Sequence, residues 1–214
     1  MQNKFIAIEG VIGVGKTTLA RLLGEKLNGD VLLEVFEENP FLADFYGDRA
    51  RYAFQTQIFF LLSRYNQQIR AVPEALAKQN LISDYTFAKD ELFAWLNLKD
   101  DELAMYGKVH AALGEKMRQP DLLVYLHAEH DTVMKRIALR DRPYERNMDP
   151  DYIRQLAQAY EMWLSQEEET AVLRIDVTHL DFLSSDDDVQ RVVNQIVTTL
   201  TEQPTPPSHA VNPL

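Results

Sequence analysis

Hydrophobic runs alternate along the chain with stretches in which apolar residues recur at helical spacing. The runs are short and nearly unbroken in hydrophobicity, which is typical of strands covered on both faces of a parallel sheet. They predict strands at residues 4–8, 31–35, 80–83, 122–126 and 172–175. The other stretches predict helices at residues 17–28, 50–71, 102–117, 130–140, 150–166 and 188–200. Strands that alternate with helices form β-α-β units, so the pattern predicts an α/β fold in which helices flank one doubly wound, parallel five-stranded sheet.

The loop after the first predicted strand carries the pattern G-x-x-x-x-G-K-[ST] and leads directly into a predicted helix. Its glycines let backbone N–H groups face inward, and the helix N-terminus adds the positive end of its dipole. In such a loop Lys16 reaches the terminal phosphates of a nucleotide, and the hydroxyl of Thr17 holds Mg²⁺. The alternative is a glycine-rich turn with an exposed lysine, but strand, loop and helix together favour a nucleoside triphosphate site. The residues predicted to bind the nucleotide here are Gly10, Val11, Ile12, Gly13, Val14, Gly15, Lys16, Thr17 and Thr18.

Composition narrows the class of protein. A chain of 214 residues, 46% of them hydrophobic, suits one globular domain, and no apolar run approaches the ~18 residues of a membrane span. The first predicted strand starts too early for a signal peptide, and the chain has no cysteine for a disulfide or a zinc–thiolate site. The net charge of −11 argues against a large nucleic-acid surface. We therefore expect a cytoplasmic enzyme without membrane or nucleic-acid partners, with a domain at residues 1–200 and a flexible, proline-rich tail at 201–214.

Acidic residues follow the second and third predicted strands, and ligands of such sheets bind at the carboxyl ends of the strands. Glu34 is expected at the end of the second strand, facing this crevice. It is our candidate for the group that accepts a proton from a hydroxyl during phosphoryl transfer, with Glu37 and Glu38 as alternatives. Asp84, after the third strand, is predicted to hold Mg²⁺ beside the phosphate loop; the alternative is that it caps the following turn.

Two polar residues interrupt an apolar face of the long helix predicted at 50–71. Gln57 and Arg64 lie on one face of this helix, because they are seven residues apart. Phe60 and Leu61 lie between them on the same face. Burying polar side chains there is costly without polar partners, so they predict a flat polar ligand, such as a nucleobase, against this helix. The alternative is that both lie at the edge of the face and reach water.

Arginines are most concentrated near the fourth predicted helix. A segment of eleven residues contains four of them, although the chain as a whole is acidic. Beside a phosphate loop, such a patch predicts a lid that closes on the triphosphate and neutralises charge in the transition state. The alternative is a solvated charged face. The four residues are Arg136, Arg140, Arg142 and Arg146.

Together these motifs resemble the deoxynucleoside kinase family, which contains deoxycytidine, deoxyguanosine and deoxyadenosine kinases, and especially its bacterial members. The resemblance covers roughly residues 3–183 and depends on the order and spacing of the phosphate loop and of residues 34–41, 52–64, 83–85 and 136–142. It implies a P-loop NTPase-type fold with an arginine-bearing lid. It also implies transfer of the γ-phosphoryl group of ATP to the 5′-hydroxyl of a deoxynucleoside, with Mg²⁺ as cofactor, in a homodimer packed through helices.

The resemblance implies roles for individual residues. Glu34 matches the catalytic base of the family. Lys16, Arg140 and Arg142 match residues that supply positive charge to the reaction, and Arg136 matches a further lid arginine on the phosphates. The residues that match contacts to the nucleobase are Gln57, Arg64, Asp90 and Phe93. Tyr46 and Glu145 match the pair that holds the 3′-hydroxyl of the sugar, and Asp181 and Phe182 match residues near the donor adenine.

One position departs from the family. Tyr85 stands where the family has an arginine that positions the catalytic carboxylate, and tyrosine supplies neither its charge nor its paired donors. Either a nearby cation takes this part, or Tyr85 forms a weaker hydrogen bond.

Two other functions stay open, a nucleoside monophosphate kinase of the same architecture and a regulatory nucleotide-binding module without catalysis. Asp90 as an acceptor favours deoxyadenosine or deoxycytidine over thymidine and leaves deoxyguanosine among the candidates.

Overall fold

Five strands and eight α-helices alternate along the chain in the computed structural model, which describes residues 3–36 and 38–202. The strands are β1 (Phe5–Glu9), β2 (Gly29–Leu32), β3 (Asn80–Ser83), β4 (Leu122–His127) and β5 (Val172–Asp176). The helices are α1 (Lys16–Lys26), α2 (Leu42–Gly47), α3 (Arg49–Leu76), α4 (Lys89–Asn97), α5 (Asp100–Gly114), α6 (His130–Arg140), α7 (Pro150–Ser165) and α8 (Asp186–Glu202). A 3₁₀ turn, Pro143–Glu145, lies between α6 and α7.

The strands form one sheet of order β2-β3-β1-β4-β5, in which every neighbouring pair is parallel. Strand β1 lies at the centre and is buried along its whole length, with Ala7 opposite Ser83 of β3 and Leu123 of β4. The chain leaves the carboxyl end of β1 at the point where the strand order reverses, which is where open α/β sheets bind their ligands. The predicted α/β fold with a five-stranded parallel sheet is confirmed.

Strand β2 differs from the prediction of residues 31–35. It ends at Leu32 because its partner β3 ends at Ser83, which lies opposite Leu32. Beyond this point the backbone N–H of Glu34 donates to Oδ1 of Asp84 at 2.8 Å instead of continuing the ladder. Glu34 therefore lies in the loop after the strand, and the prediction that it ends the strand is wrong.

The helices agree with the predictions to different degrees. Helix α6 has the predicted bounds, whereas α3 is 28 residues long and continues past Pro73 to Leu76. The predictions contain neither α2 nor α4, because six and nine residues are too few to show a clear helical period.

Helix α8 extends through Glu202, two residues beyond the predicted end of the domain. The remainder of the predicted tail, residues 203–214, lies outside the described residues, as does Glu37. Within the described ranges, no helix is both long and apolar enough to cross a lipid bilayer.

Candidate active site

A cleft opens at the carboxyl ends of β1, β2 and β3, where the sequence predicts a binding site. It encloses about 820 Å³ together with its open mouth, a volume suited to a small organic molecule. Helix α3, the phosphate loop and the segment after α6 line it. The predicted site residues in its lining are Ile12, Gly13, Lys16, Thr17, Glu34, Tyr46, Gln57, Arg64, Asp84, Phe93, Arg140, Arg142 and Glu145.

The phosphate loop has a backbone that requires glycine. Gly10, Gly13 and Gly15 have φ values of 144°, 84° and 116°, a region that residues with a side chain rarely adopt. Space is also lacking at Gly10, where a Cβ atom would lie 2.3 Å from the backbone oxygen of Leu126 in β4. These glycines therefore let the loop curl closely against the end of the sheet, as the motif predicts.

Lys16 folds back over the phosphate loop. Its Nζ donates to the backbone oxygens of Gly10 at 2.7 Å and Val11 at 3.0 Å. Burial, followed by the nearby charge of Lys89, lowers the pKa of Lys16 to about 8. The ammonium thus lies at the loop, held by carbonyl oxygens that phosphate oxygens of a bound nucleotide can replace.

Thr17 and Asp84 meet across 67 positions of sequence. The hydroxyl of Thr17 donates to Oδ2 of Asp84 at 2.5 Å, and Oδ1 of the same carboxylate accepts from the backbone N–H of Glu34. Asp84 therefore bonds to these two groups, which argues against the alternative that its main part is to cap the next turn. A hydroxyl and a carboxylate side by side are hard oxygen donors, so the pair fits the coordination that Mg²⁺ prefers.

Glu34 lies between two cations from different helices. Oε1 accepts from Nε of Arg64 at 2.9 Å and also from its Nη2, while Oε2 accepts from Nζ of Lys89 at 2.7 Å. Burial by itself raises the pKa of Glu34, but the charges of Arg64 and Lys89 outweigh it and hold the pKa far below the usual range of a glutamate. The carboxylate is therefore ionised and held in one orientation.

Three of the four predicted base-contacting residues, Gln57, Arg64 and Phe93, line the cleft on the wall formed by α3 and α4, whereas Asp90 is buried behind Arg64 and is not in the lining. Arg64 forms an ion pair with Asp90, whose side chain is fully buried, while its own side chain is 6% exposed. Gln57 is buried as well, and its Oε1 has no hydrogen-bond partner among the described residues. Phe93 lines the same cleft. The alternative that Gln57 and Arg64 lie at the helix edge and reach water is wrong, because both side chains are buried.

The predicted sugar-binding residues lie on the part of the cleft near the 3₁₀ turn. Glu145 accepts from Nε and Nη2 of Arg140 at 3.1 and 2.5 Å, so this carboxylate is already charge-paired. The ring of Tyr46 stacks on that of Tyr144, with centroids 6.1 Å apart. Burial and then the neighbouring Tyr152 raise the pKa of Tyr46 well above its ordinary value, so its hydroxyl stays protonated and can donate.

The lid arginines have three different environments. Arg140 is hydrogen-bonded to Glu145, whereas Arg142 lies 3.6 Å from the other oxygen of that carboxylate and has its Cζ 3.9 Å from the ring centroid of Phe36. Phe36 belongs to the same loop as Glu34, so Arg142 attaches the lid to that loop. Arg136 donates to the backbone oxygens of Val14, Val177 and Leu180 at 3.1, 2.8 and 2.9 Å. It thereby joins the phosphate loop to the loop after β5.

A second depression adjoins the cleft at the phosphate loop. Lys16 and Thr17 line both, and the second is also lined by Arg136, Asp181 and Phe182. The Phe182 ring approaches the loop closely, 3.6 Å from where a Cβ of Gly15 would lie. Asp181 is exposed and accepts from the backbone N–H groups of the two residues that follow Phe182. The two predicted donor-side residues are therefore next to the phosphate loop.

The lining of the cleft also contains residues that the motifs did not predict, among them Lys89, Phe36 and Thr56. The Oγ1 atom of Thr56 is buried without a hydrogen-bond partner among the described residues. Lys89 is followed by Asp90 and Glu91, so in the sequence it resembles one member of an ordinary charged cluster, and no motif indicates it. Tyr85 is fully buried, and its hydroxyl donates to Oε1 of Gln67 at 2.6 Å.

A parallel sheet with a phosphate loop at its switch point, next to a cleft that carries a buried carboxylate and several arginines, defines a P-loop NTPase-type phosphotransferase. The family model described as "Deoxynucleoside kinase" matches residues 6–202. The chain therefore belongs to the deoxynucleoside kinase family, as the motifs indicate, and is an ATP-dependent phosphotransferase.

Individual relatives agree with this family. The deoxyguanosine kinase of Bacillus subtilis (strain 168) is 35% identical over 197 residues, which cover 90% of this chain and 95% of the relative. The deoxyadenosine kinase of Dictyostelium discoideum is 37% identical over 169 residues, or 77% of this chain and 68% of the relative. Among solved structures, deoxyadenosine kinase from M. mycoides with bound dATP is similar to this chain with a TM-score of 0.78 at 25% identity. The match covers 91% of this chain and 100% of the chain of that structure.

Proposed function

We propose that the protein transfers the γ-phosphoryl group of ATP to the 5′-hydroxyl of deoxyadenosine, deoxycytidine or deoxyguanosine. The observation that carries this proposal is the position of Glu34, an ionised carboxylate held in the cleft and bonded through its backbone to Asp84. The phosphate loop lies on one side of this carboxylate and the buried polar wall of α3 and α4 on the other. A donor phosphate and an acceptor nucleoside can therefore reach Glu34 together.

Thr17 and Asp84 are the residues that would hold Mg²⁺. When bound, the ion would supply positive charge that offsets the negative charge developing on the transferring phosphoryl group. The protein's own cations contribute on the same side: Lys16 at the phosphate loop, and Arg140 and Arg142 from the lid. Such preorganised positive charge is the main source of rate in phosphoryl transfer, where little covalent chemistry falls to the protein.

Glu34 accepts the proton of the acceptor. As the 5′-oxygen bonds to the γ-phosphorus, its O–H proton passes to the carboxylate, while the bond from the γ-phosphorus to the bridging oxygen breaks and ADP leaves. A carboxylate with a lowered pKa is a weak base, but the transition state of this reaction is loose, so orientation of the hydroxyl matters more than base strength.

The wall of α3 and α4 selects the nucleobase. Asp90 accepts hydrogen bonds only, Arg64 donates only, and Gln57 does both. Adenine, cytosine and guanine each carry an exocyclic amine that a carboxylate can bind, whereas thymine has none. The relatives named deoxyguanosine and deoxyadenosine kinases support the same group of acceptors. Phe93 would lie against the ring, and Tyr46 and Glu145 would hold the 3′-hydroxyl.

The test is a product assay with the purified full chain, ATP and Mg²⁺. Each of the four deoxynucleosides and each of their monophosphates is supplied separately, and products are separated by chromatography. We expect monophosphates to form from deoxyadenosine, deoxycytidine or deoxyguanosine. Phosphorylation of monophosphates only would indicate a nucleoside monophosphate kinase, and tight ATP binding without any product would indicate a regulatory module; either result overturns the proposal.

The oligomeric state and location stay predictions. We propose a homodimer packed through helices that include α3, whose exposed Leu62 is an apolar residue available for such a contact. Light scattering coupled to size-exclusion chromatography tests this directly, and a mass of one chain contradicts it.

We further propose that the enzyme acts in the cytoplasm, where deoxynucleosides and ATP are both present; fractionation of the source cells tests it.

A further inference from the structure

A second lysine lines the cleft, and the sequence motifs do not explain it. Lys89 is the first residue of α4, its side chain is 4% exposed, and its Nζ lies 2.7 Å from Oε2 of Glu34. We propose that Lys89 is the positioning residue that holds Glu34 in place for proton transfer. This proposal rests on the part given to Glu34 in the proposed function.

The two cations fix the carboxylate from two directions. Arg64, on α3, binds Oε1 of Glu34, and Lys89, on α4, binds Oε2. Rotation of the carboxylate would break both contacts at once. Because the backbone N–H of Glu34 is also bonded to Asp84, the carboxylate is fixed relative to the residue that lies beside the phosphate loop.

Lys89 differs from Arg64 in having one ionic partner among the described residues. Arg64 is shared with Asp90, so its position depends on the part of the cleft that faces the nucleobase. In the part of the chain that the structure describes, the ion pair of Lys89 is with Glu34 alone. The contact of its Nζ with Oε2 of Glu34 is therefore the one through which Lys89 acts.

The start of α4 is rigidly anchored. The backbone N–H of Lys89 donates to Oγ1 of Thr86 at 3.2 Å, and this hydroxyl donates to Oε1 of Glu9 at 2.9 Å. Oε2 of Glu9, at the end of β1, accepts from the hydroxyl of Tyr160 at 2.8 Å. All these groups are buried, so they connect the first turn of α4 to the centre of the sheet. Lys89 therefore approaches Glu34 from a fixed position on α4, while Tyr85 packs in the interior.

Replacement of Lys89 by methionine tests the proposal, because methionine keeps the apolar stem and removes the charge. We expect kcat for the deoxynucleoside to fall on the order of 10²-fold, with the KM for ATP changed by less than about threefold. Lys78→Met is the matched control, since Lys78 is an exposed lysine beyond the end of α3 and should leave both constants unchanged.

Two further readouts separate positioning from a merely structural role. If Lys89 acts through Glu34, adding Lys89→Met to Glu34→Gln should lower kcat little further, because both substitutions disable the same Glu34–Lys89 pair. The acidic limb of the pH–rate profile should also move up in Lys89→Met, toward the ordinary glutamate pKa of about 4.3, since Glu34 then has one cation instead of two. Lys89→Arg, which keeps the charge, should recover at least part of the lost rate.

Wild-type kcat in a folded Lys89→Met variant would overturn the proposal, and so would full additivity with Glu34→Gln. If Lys89→Met does not fold, Lys89→Gln, which keeps a hydrogen-bond donor, enters the same double-mutant comparison. The wild-type enzyme is assayed first: if it phosphorylates no deoxynucleoside, the proposed function fails whatever Lys89 does. If the wild type is active and Lys89→Met has the same kcat, the proposal for Lys89 is refuted and the proposed function stands.

Discussion

Replacing Glu34 by glutamine changes one carboxylate oxygen into an amide and leaves the shape of the side chain almost unchanged. The variant loses the group that accepts the proton and the negative charge between Arg64 and Lys89. Removing one preorganised charged group from an active site costs about 2.7–4 kcal/mol of transition-state stabilisation. We therefore expect kcat to fall by about 10²–10³.

The same change has a separate cost in stability. The side chains of Arg64 and Lys89 are only 6% and 4% exposed, and loss of one partner from a buried ion pair costs about 3–5 kcal/mol. Asp90 still pairs with Arg64 and the amide oxygen still accepts one hydrogen bond, so we expect the lower end, about 3 kcal/mol. For a chain of this size, that corresponds to a fall in Tm of roughly 6–12 °C.

The pH dependence of this difference has a definite sign. Two cations hold the pKa of Glu34 below its ordinary value, so its contribution to stability is present above about pH 4.3 and is lost as the pH falls below that value toward the folded-state pKa. The Tm of the wild type should therefore approach that of Glu34→Gln in acid. Melting curves at several pH values, followed by circular dichroism, measure this.

Initial rates of monophosphate formation at saturating ATP measure the catalytic loss. Glu38→Gln is the matched control, because Glu38 is exposed and lines a separate groove with Phe59 and Leu62. Full activity in Glu34→Gln refutes the assignment of the base. A large loss in Glu38→Gln or Glu37→Gln, with Glu34→Gln active, would transfer that role to the other glutamate.

Three further predictions concern the phosphate side of the cleft. Gly10→Ala should cost roughly 1–3 kcal/mol of stability and weaken ATP binding, because the residue has φ 144° and its Cβ would lie 2.3 Å from a carbonyl oxygen. The control Gly107→Ala, where no atom lies close, should do neither. Thermal unfolding and calorimetry measure both effects. The pKa of Lys16 is lowered to about 8 in the folded chain, so the free energy of unfolding should rise as the pH increases from about 8 to 10.5, the ordinary pKa of a lysine. For the same reason, ATP binding near pH 8 should take up protons, which calorimetry in buffers of different ionisation enthalpy detects. Arg142→Ala should lower kcat about 10²–10³-fold without unfolding, while Arg146→Ala, at an exposed pair, should keep wild-type rates in the same assay.

The sheet and the phosphate loop could be predicted because their signals are local. Each strand is a short apolar run, and the loop is one motif in a fixed strand-and-helix context, so the bounds of α6 and β3 agree with the predictions. The end of β2 could not be predicted, because it depends on where its partner β3 ends and not on the apolar residues that follow Leu32. Helices α2 and α4 are too short to show a period, and they form where the chain packs against α3 and α7.

The sequence by itself determined the fold class, the family and most of the residues that line the cleft, because residue type, order and spacing are sufficient for them. It did not determine which charges pair. Arg64 is shared between Glu34 and Asp90, and Lys89 meets Glu34 across 55 positions of sequence. Ionic partners are chosen by distance and burial in space, and only the folded chain brings α3, α4 and the loop after β2 close enough to exclude water. Tertiary structure therefore decided which cations surround Glu34, and placed one of them at Lys89.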